Sequence, residues 1–265
     1  MKPHGIQHDI PLKKKYGQHF LREQQIVDHM IDAVQIKDAS VLEIGPGDGF
    51  LTKSILTHPI ERLWAFEIDA DWVSYLQQEL KDPRLTVLYE NVLDADFTRL
   101  EPYKPWTLLA NLPYQVTFPI LHLLHEHRAL LKEGVIMVQE EVAQKIVKTK
   151  GKGYGFPSLF FQYYFQWSLM DKISPTAFYP APKVYSRLLY FKTKEDVAPI
   201  TQEEGFWKFI KACFKQPRRT LRNNLSQTHY LQEVISNDLL SKRAQELNID
   251  QLLQLWSVVK RSEEI

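Results

Sequence analysis

The chain is predicted to fold as an α/β protein on a doubly wound, mainly parallel sheet, with a small helical domain at its C-terminal end. Three observations predict this. Short apolar runs recur at residues 41–44, 63–66, 85–89, 106–110 and 135–138, each long enough for a buried strand and too short for a buried helix. Helical spacing of apolar residues separates several of them, as at 50–56, so strands and helices alternate up to about residue 170, the pattern of parallel crossover units. Several of the runs end on glycine or on a side chain able to hydrogen-bond, and in such sheets ligands bind in the crevice beyond the carboxyl ends of the strands.

Taken in order, the N-terminal residues 1–24 form a basic extended segment, and 24–34 reads as an amphipathic helix. The run Val41-Leu42-Glu43-Ile44 is a strand, followed by Gly45-Pro46-Gly47-Asp48-Gly49 and the helix 50–56. Glycines at 45, 47 and 49 let the backbone approach a ligand where a Cβ would clash. Their spacing is G-x-G-x-G rather than G-x-G-x-x-G, which argues against a pyrophosphate cradle and fits S-adenosylmethionine better. The second strand ends at Glu67, whose carboxylate can accept both hydroxyls of a ribose. The third ends at Glu90-Asn91, where a side-chain oxygen can receive the amino group of an adenine. Residues 106–110 lead into Asn111-Leu112-Pro113-Tyr114, and 135–138 is a further buried strand.

Beyond these, Lys148–Gly155 is a glycine-rich loop expected near the substrate, residues 177–183 are proline-dense, and 188–191 make a last strand. Residues 195–199 read as a linker. From 203 the pattern is helical, with breaks near Pro217 and at Asn237-Asp238, and no repeat is present. The expected division is a basic segment at 1–24, a cofactor-binding domain at 25–195 and a C-terminal helical RNA-binding domain at 200–265.

Asn111-Leu112-Pro113-Tyr114 suits one chemical problem, activating the exocyclic amine of a flat heterocycle. Such an amine is a poor nucleophile because its lone pair is delocalised into the ring. The Asn111 side-chain carbonyl and a neighbouring backbone carbonyl can each accept one N–H, drawing the nitrogen toward tetrahedral geometry. Pro113 stiffens the turn that presents them, and Tyr114 offers a stacking face.

Composition bounds the function. With 265 residues and 44% apolar content the chain can build a substantial core. No run approaches the ~18 apolar residues of a membrane span, and no cleavable leader is evident, so a cytoplasmic protein is expected. The single Cys213 permits no internal disulfide and is expected as a packed helix residue; with no Cys/His cluster at ligand spacing, no metal site is expected. The net charge is only +1, but its distribution is polarised. Residues 11–22 carry Lys13, Lys14, Lys15 and Arg22 without an acid. So do 143–153, with Lys145, Lys148, Lys150 and Lys152, and 206–225, with Lys208, Lys211, Lys215, Arg218, Arg219 and Arg222. Residues 61–101 compensate with ten acids against four bases. That pattern predicts a positive face able to track phosphates.

These residues match a family in order from about 13 to about 225. The chain resembles the KsgA-type ribosomal RNA adenine dimethyltransferases in Lys15-Tyr16-Gly17-Gln18-His19-Phe20-Leu21, Leu42-Glu43-Ile44-Gly45-Pro46-Gly47, Glu67-Ile68-Asp69 and Asn111-Leu112-Pro113-Tyr114. It is similar also in Phe178-Tyr179-Pro180-Ala181-Pro182-Lys183-Val184-Tyr185-Ser186 and in Arg218-Arg219-Thr220-Leu221-Arg222-Asn223-Asn224-Leu225. The resemblance implies a Rossmann-like methyltransferase fold. His19 and Leu21 would border the cofactor S-adenosylmethionine, Gly45 would lie beneath it, Glu67 would hold its ribose and Asn91 its adenine. Asn111 would face both cofactor and target. A target adenine turned out of its stack would lie between Tyr114 and Phe178 while Asn111 and the Leu112 carbonyl bond its N6 hydrogens.

The substrate implied is two adjacent adenosines in a hairpin near the 3′ end of small-subunit (16S-type) ribosomal RNA, within an assembling subunit, with the enzyme acting as a monomer. Two positions depart from the bacterial pattern: His19 stands where Asn is usual, and Asn91 where Asp is usual, with Asp94 as the alternative contact. Competing readings are a macrolide-resistance-type large-subunit RNA methyltransferase, a non-enzymatic RNA-binding assembly factor that keeps the fold, and a small-molecule methyltransferase. The motif at 178–186, the intact Asn111 and Tyr114, and the basic clusters respectively argue against them.

Overall fold

The computed structural model describes residues 10–228, 230 and 232–263. The first nine residues of the expected basic segment and the last two of the expected C-terminal domain lie outside the described residues. The described chain divides into two compact units. One comprises the described residues through Ala143 together with Gln166–Thr193; the other comprises Gln144–Phe165 and the described residues from Lys194 onward.

The first unit is built on a sheet whose strands are β2 (Ser40–Ile44), β3 (Arg62–Glu67), β4 (Leu85–Tyr89), β5 (Trp106–Asn111), β6 (Leu131–Gln139), β7 (Phe165–Ile173) and β9 (Ser186–Thr193). Their order is β4-β3-β2-β5-β6-β9-β7. Pairing is parallel from β4 through β6, and β9 then runs antiparallel to β6 from Gln139↔Ser186 to Glu133↔Lys192. Every residue of β2 is buried because strands flank it on both sides and helices cover the sheet, which is why it reads as a continuous apolar run. From β2 the chain first builds outward to β3 and β4 and then returns to β5 on the other side. The switch in direction therefore falls between β2 and β5, and the carboxyl ends of these two strands frame a crevice there.

Helices α1 (Gln24–Asp32) and α2 (Phe50–Leu56) cover one face. Ile26, Val27, Met30 and Ile31 of α1 and Leu51 and Ile55 of α2 pack into one cluster with Val41, Leu63, Leu109, Val135 and Met137 of the sheet. Helices α3 (Ala70–Glu79) and α4 (Thr117–Glu126) complete the crossovers, and α5 (Glu140–Val147) follows β6 directly. Asp69 caps α3, its side chain accepting from Asp71 N. A separate two-stranded ribbon pairs β1 (Phe20–Leu21) with β8 (Phe178–Tyr179), in the register Phe20↔Tyr179 and Leu21↔Phe178.

Strand β7 has no counterpart in the sequence expectation. It lies at the edge of the sheet, so polar Gln166, Ser168, Asp171 and Lys172 interrupt its apolar residues and leave no run to recognise.

The second unit is helical: α6 (Phe156–Tyr164), α7 (Glu203–Cys213), α8 (Leu221–Leu225), α9 (Asn237–Ser241) and α10 (Ile249–Glu263). Its boundaries differ from the expected 200–265 because α6 belongs to it. Phe160 and Tyr163 place their rings 5.0 and 5.8 Å from that of Trp207, and the Trp207 indole donates to the Tyr164 hydroxyl at 2.8 Å. The expected break near Asn237-Asp238 falls at Ile235-Ser236, and α9 starts at Asn237, where the Ser236 hydroxyl accepts from Leu239 N. Cys213 is fully buried in α7, and that burial pushes its thiol well above the usual range.

Candidate active site

Beyond the carboxyl ends of β2, β3 and β5 lies a cavity of about 370 Å³, within the ~300–1,000 Å³ typical of small-molecule sites. His19, Leu21, Gly45, Glu67, Asn91 and Asn111 all line it, as do Leu112, Pro113 and Tyr114. Residues far apart in the chain converge there because strand tips, an N-terminal segment and the β5 exit meet at the topological switch.

The glycine turn forms the floor, but its three glycines do different work. All have positive φ, at +70°, +55° and +78° for Gly45, Gly47 and Gly49. A Cβ on Gly45 would meet only Pro113 Cδ at 4.0 Å, so this residue is the open one. A Cβ on Gly47 would strike the Phe20 ring at 2.5 Å, and one on Gly49 would strike Leu76 at 2.6 Å. Of the three glycines expected to make room for a ligand, only Gly45 leaves open space; Gly47 and Gly49 make room for the protein itself.

Glu67 is 6% exposed. Its Oε2 accepts from Gly47 N at 3.0 Å and its Oε1 from Asp69 N at 2.9 Å. Burial raises its pKa, and the backbone N–H groups of Asp69, Gly47 and Ile68 oppose that rise. Each carboxylate oxygen keeps a second lone pair, so the held carboxylate can still accept a ribose hydroxyl. Asn91 lines the cavity and Asp94 does not. The two are bonded to each other, Asn91 Nδ2 donating to Asp94 Oδ2 at 2.5 Å while Asn91 Oδ1 accepts from Leu93 N at 3.2 Å.

A segment preceding β1 closes one side. Lys13 Nζ reaches Asp69 Oδ1 at 2.5 Å and Asp71 Oδ2 at 2.7 Å, and Gln18 Nε2 donates to Asp69 Oδ2 at 3.1 Å. Arg22 pairs with Asp48 of the glycine turn at 2.6 Å. Two cations of the expected N-terminal phosphate-tracking cluster are thus consumed by internal carboxylates. Lys15 stays exposed, 4.6 Å from the Tyr16 ring centroid, and the side chain of Lys14 lies outside the described residues.

The β5 exit carries the candidate catalytic groups. Asn111 Nδ2 donates to the His19 carbonyl at 3.0 Å. A carbonyl oxygen can only accept, so this bond fixes which end of the amide is nitrogen. It leaves Oδ1 as an acceptor without a partner among the described residues. Leu112 N donates to Met137 O at 3.1 Å, which anchors the turn bearing the Leu112 carbonyl. Pro113, at φ −60° and ψ 127°, leads into the short 3-10 turn Tyr114–Val116. The Tyr114 ring stacks on His19 at 5.8 Å. Burial raises the Tyr114 pKa, and its hydrogen bond with Ser186 opposes the rise.

Phe178 stands apart from this group. It is 4% exposed, packs in the apolar cluster with its cross-strand partner Leu21, and does not line the cavity. Phe178, the expected second stacking face opposite Tyr114, is thus buried beside Leu21, which itself lines the cavity. Pairing with β1 puts Phe178 and Leu21 on the same, inward face of the ribbon.

One lining residue escaped the sequence reading. Glu43 is 1% exposed in β2 and accepts from Thr52 Oγ1 at 2.8 Å. Its pKa is pushed up to about 8, first by burial and then by the neighbouring carboxylates of Glu67 and Asp48, against the Thr52 bond. The available signal was a single acid inside an otherwise apolar strand.

These groups fit S-adenosylmethionine on the structure's own terms. Gly45 leaves the cavity floor open, and Glu67 is anchored with lone pairs to spare. Among the described residues no group of three or more His, Cys, Asp or Glu is placed to hold a metal ion, and no helix is long and apolar enough to cross a membrane.

In the helical unit, Lys148, Lys150, Lys152, Lys215, Arg218, Arg219 and Arg222 are exposed. The 148–155 loop meets the 214–222 segment through the Tyr154 and Phe214 rings, 5.8 Å apart. Lys208 instead pairs with Glu204 at 2.7 Å.

Residues 11–260 match the family described as ribosomal RNA adenine dimethylase. The chain is similar to ribosomal RNA small subunit methyltransferase A of Chlorobium phaeobacteroides, 35% identical over 254 residues that cover 95% of this chain and 93% of that one. To the protein of the same description from Streptococcus thermophilus it is 36% identical over 241 residues, covering 88% and 83%. Among solved structures, a dimethyladenosine transferase from Plasmodium falciparum superimposes with a TM-score of 0.80 at 22% identity, over 92% of this chain and 98% of that one. The 23S rRNA methyltransferase ErmE superimposes with a TM-score of 0.71 at 20% identity, over 91% and 99%. At these identities the two structures show the shared fold.

Proposed function

The chain belongs to the ribosomal RNA adenine dimethylase family, and from that premise we propose that it methylates N6 of two adjacent adenosines in a hairpin near the 3′ end of small-subunit ribosomal RNA. It is an S-adenosylmethionine-dependent ribosomal RNA adenine dimethyltransferase. In our reading it acts as a monomer, in the cytoplasm, on an assembling small subunit. The curated relatives are described as small-subunit enzymes, which favours this substrate over large-subunit RNA.

The observation that carries the reading is the oriented amide of Asn111. Its nitrogen is tied to the His19 carbonyl, so its oxygen is held ready for an N–H donor in the cavity that also contains Gly45 and Glu67. When bound, S-adenosylmethionine supplies an electrophilic methyl group. Glu67 would hold its ribose, Asn91 its adenine, Gly45 would lie beneath it, and His19 and Leu21 would border it. Asn111 Oδ1 and the Leu112 carbonyl would accept the two N6 hydrogens of the target adenine while the Tyr114 ring supports the base. Drawing both hydrogens out of the ring plane localises the nitrogen lone pair. No strong base is needed, because the methylated nitrogen is acidic enough to lose a proton to water. Positioning supplies the rate, and the second transfer to the same nitrogen proceeds with one of these two hydrogen bonds given up.

The test is single-turnover transfer from labelled cofactor to small subunits that lack the modification. Asn111→Ala should lower the rate on the order of 10²-fold, the scale for removing one preorganised polar group from a transition state, with folding unchanged. A near-normal rate would remove Asn111 from the mechanism. Mass mapping of small-subunit RNA from cells lacking the protein should show two adjacent unmethylated adenosines; intact modification there would refute the substrate.

A further inference from the structure

Two rings stand side by side at the cavity, and each has one polar handle. His19 Nδ1 lies 2.7 Å from the Pro180 carbonyl, and the Tyr114 hydroxyl lies 2.5 Å from Ser186 Oγ. Both anchors belong to the stretch from β8 to the first residue of β9. The proline-dense motif whose Phe178 is packed in the core thus contributes to the site through its later residues.

The two ends of the Tyr114–Ser186 pair differ in rigidity. Tyr114 sits on a single 3-10 turn outside the sheet. Ser186 is fully buried and pairs with Gln139 at the end of a seven-residue ladder. Its neighbour Arg187 clamps Glu140 through two bonds of 2.6 and 2.9 Å and donates to Met170 O at 2.7 Å. A buried serine hydroxyl needs a polar partner, and Tyr114 is that partner. The bond therefore ties an aromatic ring on a short turn to a firmly held part of the sheet. Without it the ring would keep its stacking on His19 but lose its polar tie to the sheet.

From this juxtaposition we propose that Ser186 is a positioning residue for methyl transfer: through the Tyr114 hydroxyl it sets the ring against which the target base rests. The proposal depends on the reading above, that Tyr114 supports the target adenine. It makes Tyr114 and Ser186 one functional unit, and it gives the tyrosine hydroxyl a task that phenylalanine cannot perform.

A double-mutant cycle tests this, measured as kcat on unmodified small subunits and as cofactor Kd. Ser186→Ala and Tyr114→Phe should each lower kcat about tenfold, the scale of a single hydrogen bond. The double variant should be no slower than either single one, and cofactor Kd should not move in any of the three. Additive losses would overturn the proposal, since Ser186 would then act through another group. Full activity in Ser186→Ala beside an inactive Tyr114→Ala would overturn it while leaving the stacking reading in place. An active Tyr114→Ala would overturn the stacking reading and the proposal with it. Should Ser186→Ala fail to fold, Tyr114→Phe alone decides, because it keeps the ring and removes only the bond; an unchanged kcat there overturns the proposal.

Discussion

Replacing Glu43 by Gln should make the cofactor-free protein more stable at alkaline pH and leave its stability at acid pH nearly unaltered. Gln keeps the size of the side chain and an oxygen to accept the Thr52 hydroxyl, so the perturbation is confined to ionisation. The unfolded chain releases the Glu43 proton near 4.5, and the folded protein holds it to about 8. Between those values the native state binds more protons than the unfolded one, so unfolding free energy falls as pH rises. Stability linked to Glu43 is complete below pH 4.5 and is lost as pH passes through 8. The separation is 8 − 4.5 = 3.5 units, on the order of 5 kcal/mol at ~1.4 kcal/mol per unit, of which about 3.5 kcal/mol falls between about pH 5 and 8.

Urea unfolding of wild type and Glu43→Gln across that range isolates the effect, since every other titrating group is common to both. The free-energy difference in favour of Gln should widen steadily by roughly that amount. Parallel pH curves would show that Glu43 ionises normally in the folded protein and would refute the argument.

Two further outcomes are expected. Asn91→Asp should destabilise the free protein by about 0.5–1 kcal/mol, because it replaces the donor to Asp94 with a second carboxylate at an exposed position. The exchange Asn91→Asp with Asp94→Asn should restore that stability and bind cofactor at least as tightly as wild type by calorimetry; weaker binding would remove residue 91 from adenine recognition. Converting Lys215, Arg218, Arg219 and Arg222 to Ala should flatten the salt dependence of binding to small subunits and to an unrelated RNA hairpin by about 0.7–0.9 log units per log salt for each phosphate no longer neutralised, with cofactor Kd unchanged. An unchanged slope on both RNAs would mark this run as a solvated face.

The sheet was legible because its central strands are buried on both sides and so appear as uninterrupted apolar runs; β7, at the edge, offers its alternation half to solvent and was not recognised. The residues around the cavity were legible for a related reason. A strand must stop somewhere, and a carboxylate or amide where an apolar run stops has no packing role to explain it. Phe178 shows the limit. An aromatic residue suits a core and a stacking platform equally, and the sequence does not show that this one packs in the apolar cluster beside Leu21. Lys13 and Arg22 show another, since charge patterning along a sequence cannot tell a cation facing water from one facing Asp69, Asp71 or Asp48. Glu43 was overlooked because the strand around it looked complete without it.

The missing side chain of Gly47 has a mechanical meaning. Phe20 occupies the space a Cβ would fill, so the cavity floor and the segment closing its side are in contact there. The residue before Phe20 is His19, whose carbonyl holds the Asn111 amide and whose ring lies on Tyr114. One added methyl at position 47 would push Phe20 outward, and the displacement would pass along two covalently joined residues into both the amide and the ring. The glycine turn is thus a spacer as well as a floor. Its thickness, a single hydrogen in place of a carbon, sets the height at which the reacting groups stand.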